Sequence, residues 1–362
     1  MRRAWLRAGI VALSGLGLVA CQSPAATPAS PSQPAPAAPA APAAPTSAAA
    51  PPAAAPAHAH VEYITVVPIV NYWQEYVAQQ KGFFERQNLD VEFSAAGDAA
   101  RAIQALVSGS VNIGGPSGDS VINAVERGGS GADLAMIGGE INKMAYELVA
   151  GKDIQGYGDL KDKTLAVIGP QDGSTVILKR MLAAHGLQAD DYSFITVGGT
   201  ANRAAAVENG TAAAALIGQP QNFRLVADGY KSLGLSSDVV PEYPLDVMTV
   251  RRDWAQQNAD TVVRYLRAII EADRWLYDPA NRDEAAQITV DVLKMTPEEG
   301  RRTYDLLVTQ AQAIPKDGDL STSGVQAVID SMVDVGLLST PAPPPTKYLD
   351  RSYLERTRQA ER

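Results

Sequence analysis

Apolar positions along this chain follow four successive patterns. They run almost unbroken from Ala8 to Ala20, and bulky ones nearly vanish over residues 22–60. From Val61 short β-branched runs alternate with segments of helical period, and from Arg251 the helical period dominates. The run from Tyr63 to Ile69 predicts a first strand. Trp73, Tyr76, Val77 and Phe84 then share one stripe of a helix that ends before Asn88. Further strands are predicted at 89–93, 111–114, 134–138, 163–168, 193–197 and 213–217. Helices are predicted at 99–107, 117–127, 174–185, 200–209 and 220–228. Alternation at this spacing predicts parallel βαβ units with helices on both sheet faces, an α/β fold in two lobes.

The N-terminal pattern predicts export. Arg2, Arg3 and Arg7 precede the apolar run, which has signal-peptide length and is too short to span a bilayer permanently. Leu18-Val19-Ala20-Cys21 resembles a bacterial lipobox, which implies cleavage of residues 1–20 and lipid attachment to Cys21. An ordinary secretory signal with an incidental cysteine is the competing reading. Residues 22–60 are almost entirely Ala, Pro, Ser and Thr, with eleven prolines and no formally charged side chain. That composition cannot build a core and favours extended polyproline II, so 21–60 is expected to be a disordered tether. His58 and His60, at its end, are read as exposed linker residues.

Charge and residue inventory narrow the function. Loss of the signal removes three arginines, leaving 28 Lys+Arg against 40 Asp+Glu, near −12. This balance argues against nucleic-acid binding through a broad basic face. The single cysteine precludes an intrachain disulfide. The folded region carries no G-x-S-x-G, no S-x-x-K around Ser117 or Ser174, no P-loop and no G-x-G-x-x-G. His185, beyond the tether, precedes Gly186 at a helix end, where capping explains it. No catalytic residue, metal site or cofactor is expected.

The loops after the strands carry the chemistry. They are Val70–Trp73, Ser94–Gly97, Gly115–Ser120, Gly169–Thr175, Gly198–Thr200 and Gly218–Pro220. In an open α/β sheet such loops border the ligand crevice, where helix N-termini present unpaired N–H groups. Glycines admit close approach of a ligand to the backbone, and Ser and Thr supply hydroxyls or caps. The candidate ligand-binding set is Asn71, Tyr72, Trp73, Ser94, Gly115, Pro116, Ser117, Asn142, Gln171, Gly173, Ser174, Thr175 and Gln219. Tyr72 and Trp73 would stack on a ring, although Trp73 equally fits the buried stripe of its helix. Asp119 either caps its helix or faces the cleft; if it faces the cleft, a small anion is disfavoured and a ligand with donors or a cationic group gains. Lys143 and Arg203 are the nearest candidate anion partners.

The order of motifs resembles a family. W-Q-E-Y-V-A-Q-Q-K-G-F-F-E at 73–85, followed by L-D-V-E-F, resembles the solute-binding proteins of ABC importers for nitrate, sulfonates, taurine and thiamine pyrimidine precursors. D-L-K-D-K-T-L-A-V-I-G-P-Q-D-G-S-T at 159–175, M-L-A-A-H-G-L at 181–187, V-E-N-G-T-A-A-A-A-L-I-G-Q-P at 207–220 and Y-L-D-R-S-Y-L at 348–354 continue it. Asn88 and Asp162 stand where the family commonly has glycine. The resemblance implies a type II periplasmic-binding fold, two doubly wound lobes joined by two crossovers near 150–155 and 245–249. Lobe 1 would be 62–150 plus 247–362, and lobe 2 would be 151–246. It implies a non-enzymatic protein that carries a small organic solute, a sulfonate, carboxylate or pyrimidine-like compound, to an ABC permease and its ATPase. A ligand-sensing ectodomain and a pyrimidine-precursor synthase are the alternatives. The lipid on Cys21 would hold the protein at the outer face of the cytoplasmic membrane or in the periplasm at the outer membrane. Gln22 in place of Asp disfavours inner-membrane retention.

Overall fold

The computed structural model describes residues 57–359 apart from Gln171. The signal segment, Cys21 and nearly all of the tether lie outside the described residues. The chain first lays down β1 (Ala59–Thr65), α1 (Trp73–Gln80), α2 (Phe83–Arg86), β2 (Leu89–Ala95), α3 (Ala99–Ser108), β3 (Ile113–Gly114), α4 (Gly118–Arg127) and β4 (Leu134–Ile141). It crosses to β5 (Glu147–Ala150), β6 (Lys163–Val167), α5 (Gly173–Ala184), β7 (Tyr192–Thr196), α6 (Thr200–Glu208), β8 (Ala214–Ile217), α7 (Gln221–Ala227), β9 (Lys231–Leu235) and α8 (Ser236–Val239). The return begins with β10 (Asp246–Arg251) and continues through α9 (Arg252–Gln257), α10 (Ala259–Tyr277), α11 (Arg282–Leu293), α12 (Pro297–Tyr304), α13 (Thr322–Asp334) and α14 (Ser352–Gln359).

Two five-stranded sheets result, in the orders β2-β1-β3-β10-β4 and β7-β6-β8-β5-β9. The expected parallel pairing holds for β1 with β2 and β3, and for β6 with β7 and β8. It fails at β10, antiparallel to β3 and β4, and at β5, antiparallel to β8 and β9. Each of these strands enters its sheet straight from a crossover, without a helix to reverse the chain. Both sheets are therefore mixed. Glu147–Ala150, expected at the end of lobe 1, is a strand of the second sheet, and Asp246 already belongs to the first. The crossings thus lie at 142–146 and 240–245, several residues before their expected positions. They pair with each other through Tyr243 N–H to Asn142 O at 2.9 Å and Leu245 N–H to Ile141 O at 2.8 Å.

Local chemistry explains most remaining differences. The predicted single helix over 73–87 breaks at Gly82, whose φ of 68° only glycine adopts freely. Its apolar stripe continues across the break, with Trp73, Val77 and Phe84 all buried. Asn88 and Asp162 adopt φ values of 53° and 62°, the left-handed geometry that the glycines of related sequences suggest. β1 begins at Ala59, so the expected tether stops short of 60. His60 is exposed, as expected, but it is a strand residue ringed by acids. Its Nδ1 lies 3.0 Å from Asp90 and its Nε2 2.9 Å from Glu62, with Glu92 close by.

Trp73 settles into the core. It is fully buried, its Nε1 donates to Ala285 O at 3.2 Å, and its ring meets Tyr304 edge-on. Beside it the same helix buries Gln74 and Glu75 completely, and β4 buries Glu140. Tyr63 Oη donates to Glu140 Oε1 at 2.7 Å and Tyr265 Oη to Glu75 Oε1 at 3.3 Å. Burial pushes the Glu75 carboxyl up to about 7 and Glu140 well above the usual carboxylate range. The other oxygens of both carboxyls, Glu75 Oε2 and Glu140 Oε2, are buried without a hydrogen-bond partner among the described residues. A second apolar cluster links the halves: α13 packs on α4 and α5, burying Val325, Val328, Ile329 and Met332.

Candidate functional site

A cleft of about 790 Å³ lies between the two sheets, lined by both halves and by the crossovers. Its walls come from the loops the sequence singles out. The first half supplies residues 66–72 with Ser117 and Asp119, and the second supplies 172–174, 199–203 and 218–221. The crossovers add Tyr146, Tyr243 and Leu245, and the head of β10 adds Asp246. Ser94–Gly97 is the exception. It lies beneath the first loop, donating Ala96 N–H to Thr65 O and Gly97 N–H to Val66 O at 3.0 and 2.8 Å.

The candidate residues divide accordingly. Asn71, Tyr72, Ser117, Gly173, Ser174 and Gln219 line the cleft. Trp73 is in the core, and Ser94 is exposed, with its hydroxyl 3.3 Å from Tyr63 O. Gly115 and Pro116 are buried behind the wall; a Cβ at Gly115 would stand 2.3 Å from Tyr72 Cε1, so glycine there admits the tyrosine ring. Thr175 is buried and its hydroxyl donates to Gly169 O at 2.7 Å. Asn142 lies in a separate cavity and donates to Asp319 O at 2.7 Å. Gln171 lies outside the described residues. Of the expected anion partners, Lys143 shares the cavity of Asn142 and donates to Ala311 O at 3.0 Å, whereas Arg203 reaches the cleft.

Two of the helix N-termini at the cleft, those of α4 and α5, already hold a carboxylate of this chain. Asp172 caps α5, accepting from the Ser174 amide at 2.9 Å and from the Ser174 hydroxyl. Asp119 sits in the first turn of α4 and accepts from the Ser120 amide at 2.8 Å. Asp119 therefore does both things the sequence left open: it serves its helix end and lines the cleft. Burial, then the charge of Asp172, pushes its carboxyl up, while Ser117 and the amides of Ser120 and Gly173 oppose the rise.

Several wall residues have no counterpart in the sequence-based set. Asp246, at the head of β10, is buried and accepts from Asn71 Nδ2 at 2.5 Å. Burial pushes it up to about 7, with Asn71 opposing and Asp119 adding to the rise. Burial and the charge of Asp246 push Tyr146 up to about 12. Tyr243 is 2% exposed, and its hydroxyl has no hydrogen-bond partner among the described residues. A Cβ on Gly173 would stand 2.0 Å from that hydroxyl, so the start of α5 and the second crossover touch here. The available signals were Asp172 just before Gly173-Ser174, and a lone acid heading the run D-V-M-T-V.

The cationic groups of the wall have partners of their own. Arg203 donates to Leu216 O, Gly198 O and Thr200 Oγ1 at 2.9, 3.0 and 3.2 Å. Arg224, on α7, grips Glu299, on α12, through both carboxylate oxygens at 2.5 and 3.2 Å. Lys294 Nζ donates to Asp291 O at 2.7 Å.

The model of the NMT1-like family matches residues 55–290, and the chain belongs to that family. The nitrate/nitrite binding protein NrtA of Synechococcus elongatus is 34% identical over 128 residues, 34% of this chain and 28% of that protein. The chain spans less than half the length of the first curated relatives it matches. Among solved structures, the alkanesulfonate-binding protein SsuA from Xanthomonas axonopodis pv. citri, bound to MOPS, superposes with a TM-score of 0.62. It is 21% identical, with 82% of this chain and 100% of that chain covered. The desulfurization enzyme DSZB superposes at 0.65 with 15% identity, covering 84% and 99% of the two chains. The fold is that of periplasmic solute-binding proteins.

Proposed function

We propose that this chain is a lipid-anchored, extracytoplasmic solute-binding protein that delivers a small organic solute to the permease of an ABC importer. The observation that carries the reading is the cleft of about 790 Å³, walled by both halves of a two-sheet molecule. That volume suits a small organic molecule. A solute held between the sheets stabilises a closed state through contacts with each, and the crossovers at 142–146 and 240–245 absorb the rotation. The Arg224–Glu299 pair and the Arg302 guanidinium over the Phe223 ring at 4.4 Å already join the two halves. The names of NrtA and SsuA support delivery to an importer, and Cys21 after Leu18-Val19-Ala20 supports the anchor. DSZB shares the fold and is an enzyme, but His185 here lies away from the cleft. Its ring stacks on Tyr157 at 3.6 Å and its Nδ1 lies 2.8 Å from Met181 O, which favours binding over catalysis.

A thermal-shift screen of sulfonates, carboxylates, pyrimidines and organic cations tests the binding role. A ligand at one hundred times its Kd should add about 2.7 kcal/mol of stability, several degrees in Tm. Small-angle scattering with that ligand should show compaction. A radius unchanged at saturation contradicts closure. Cys21→Ser should release the protein from the membrane fraction, and unchanged lipid labelling of that variant contradicts the anchor.

A further inference from the structure

Resting on that reading, we propose that the cleft is built for a small organic cation, an ammonium or amidinium group seated against Asp246, rather than for an anion. Helix N-termini are the usual place for a protein to receive an anion, because their N–H groups are unpaired and their dipoles positive. Here those of α4 and α5 already hold Asp119 and Asp172, while that of α6, also in the wall, carries no side-chain cap. At α4 and α5 an incoming sulfonate or nitrate meets those charges instead of bare amides.

Asp246 supplies the positive side of the argument. It is buried in the wall with the neutral Asn71 amide as its hydrogen-bond donor, an arrangement that leaves its charge uncompensated. A ligand cation beside it would remove that cost. Independently, the Tyr243 hydroxyl is buried in the same wall with an unfilled hydrogen-bonding capacity. It and the Asp246 carboxyl are both able to accept from ligand N–H groups. Tyr72 and Tyr146 line the same cleft, and aromatic rings favour a cation nearby. Of the wall's cationic groups, Arg224 is offset by Glu299, while Arg203 and Lys294 are held by hydrogen bonds to neutral oxygens and set two charges against the three acids Asp119, Asp172 and Asp246.

A matched pair of probes tests this on the full chain. Benzamidinium and benzenesulfonate are similar in size and share a ring, but carry opposite charge. Calorimetric titration at pH 7.5, with agmatine, choline, ethanesulfonate and nitrate beside them, should give benzamidinium or another cation at least tenfold tighter binding than any anion. Asp246→Asn should weaken that cation at least tenfold without lowering the melting temperature of the free protein, and Asp119→Asn should weaken it to a smaller extent. An anion that binds tighter than every cation, with Asp246→Asn neutral or favourable to it, overturns the charge preference yet leaves solute binding in the cleft intact. No heat from any probe of either charge overturns this inference, and a negative thermal-shift screen beside it overturns the binding role as well.

Discussion

Glu75 and Glu140, sealed beneath α1 and β4, and Asp246 with Asp119 and Asp172, at the cleft, are two groups of carboxyls in one molecule. Desolvation raises the proton affinity of Glu75, Glu140, Asp119 and Asp246 alike. Their surroundings differ. The sealed pair takes hydroxyl donors from Tyr63 and Tyr265 inside the core, with Glu75 Oε2 and Glu140 Oε2 left without partners among the described residues. The cleft group borders a cavity large enough for a solute, beside a tyrosine hydroxyl without a partner. A raised carboxyl or an unmet polar atom therefore does not by itself mark a binding site; access to the cleft separates the two cases. On the proposed reading the sealed group serves the fold and the cleft group serves the ligand.

The largest expected effect is on the sealed side. Glu140→Ala leaves a cavity and strands the Tyr63 hydroxyl, and should cost about 3 kcal/mol or more in urea denaturation. Glu140→Gln keeps the shape without a buried charge and should stay within about 1 kcal/mol of the parent at pH 8. Equal losses for the two variants would break the distinction, because cavity and charge would then be inseparable.

Next comes the pH dependence of the ligand-free protein. Glu75 holds its proton in the folded state up to about 7, whereas the unfolded chain releases it near the ordinary glutamate value of 4.5. Its contribution is therefore fully present below about pH 4.5 and is lost as pH rises through about 7, on the order of 3 kcal/mol. Asp246 acts in the same direction between its ordinary 3.8 and about 7. Glu75→Gln and Asp246→Asn should each flatten the fall seen in chemical denaturation across pH 4–8. Only Asp246→Asn should also change affinity. A flattened curve and a lost ligand from Glu75→Gln would contradict the division.

A smaller effect belongs to the point where α5 meets the second crossover. Gly173→Ala places a methyl 2.0 Å from the Tyr243 hydroxyl and must displace that ring. The cost should be about 1–3 kcal/mol of stability, with weaker solute binding by calorimetry. Unchanged affinity would remove Tyr243 from the site.

Much of this was legible in the sequence, for physical reasons that also explain where legibility stopped. The period-2 and period-3.6 patterns report burial on one face, so β2, α3, α4 and α5 fall within a residue or two of their expected ends. They report nothing about strand direction, so the antiparallel β5 and β10 and the early crossovers were not visible. Ser174 and Thr175 were read as ligand donors because they follow Gly173 at a helix start. In the folded chain the first hydroxyl bonds the capping Asp172 and the second bonds Gly169 O. Asp246 and Tyr243 meet Asn71 and Gly173 only through contacts more than 60 residues apart in sequence, which no local pattern encodes.

Carbon-13 NMR of the Asp and Glu carboxyls, titrated from pH 4 to 9 with and without saturating benzamidinium, tests the division most directly. Among the groups around Asp246 are Asn71, Tyr72, Tyr146, Asp119 and, more weakly, Glu140. A cation seated there should lower the Asp246 midpoint by about one unit or more while Glu75 and Glu140 titrate nearly as before. An unmoved Asp246, or a ligand-driven shift confined to Glu75 and Glu140, would contradict the assignment of one group to the ligand and the other to the fold.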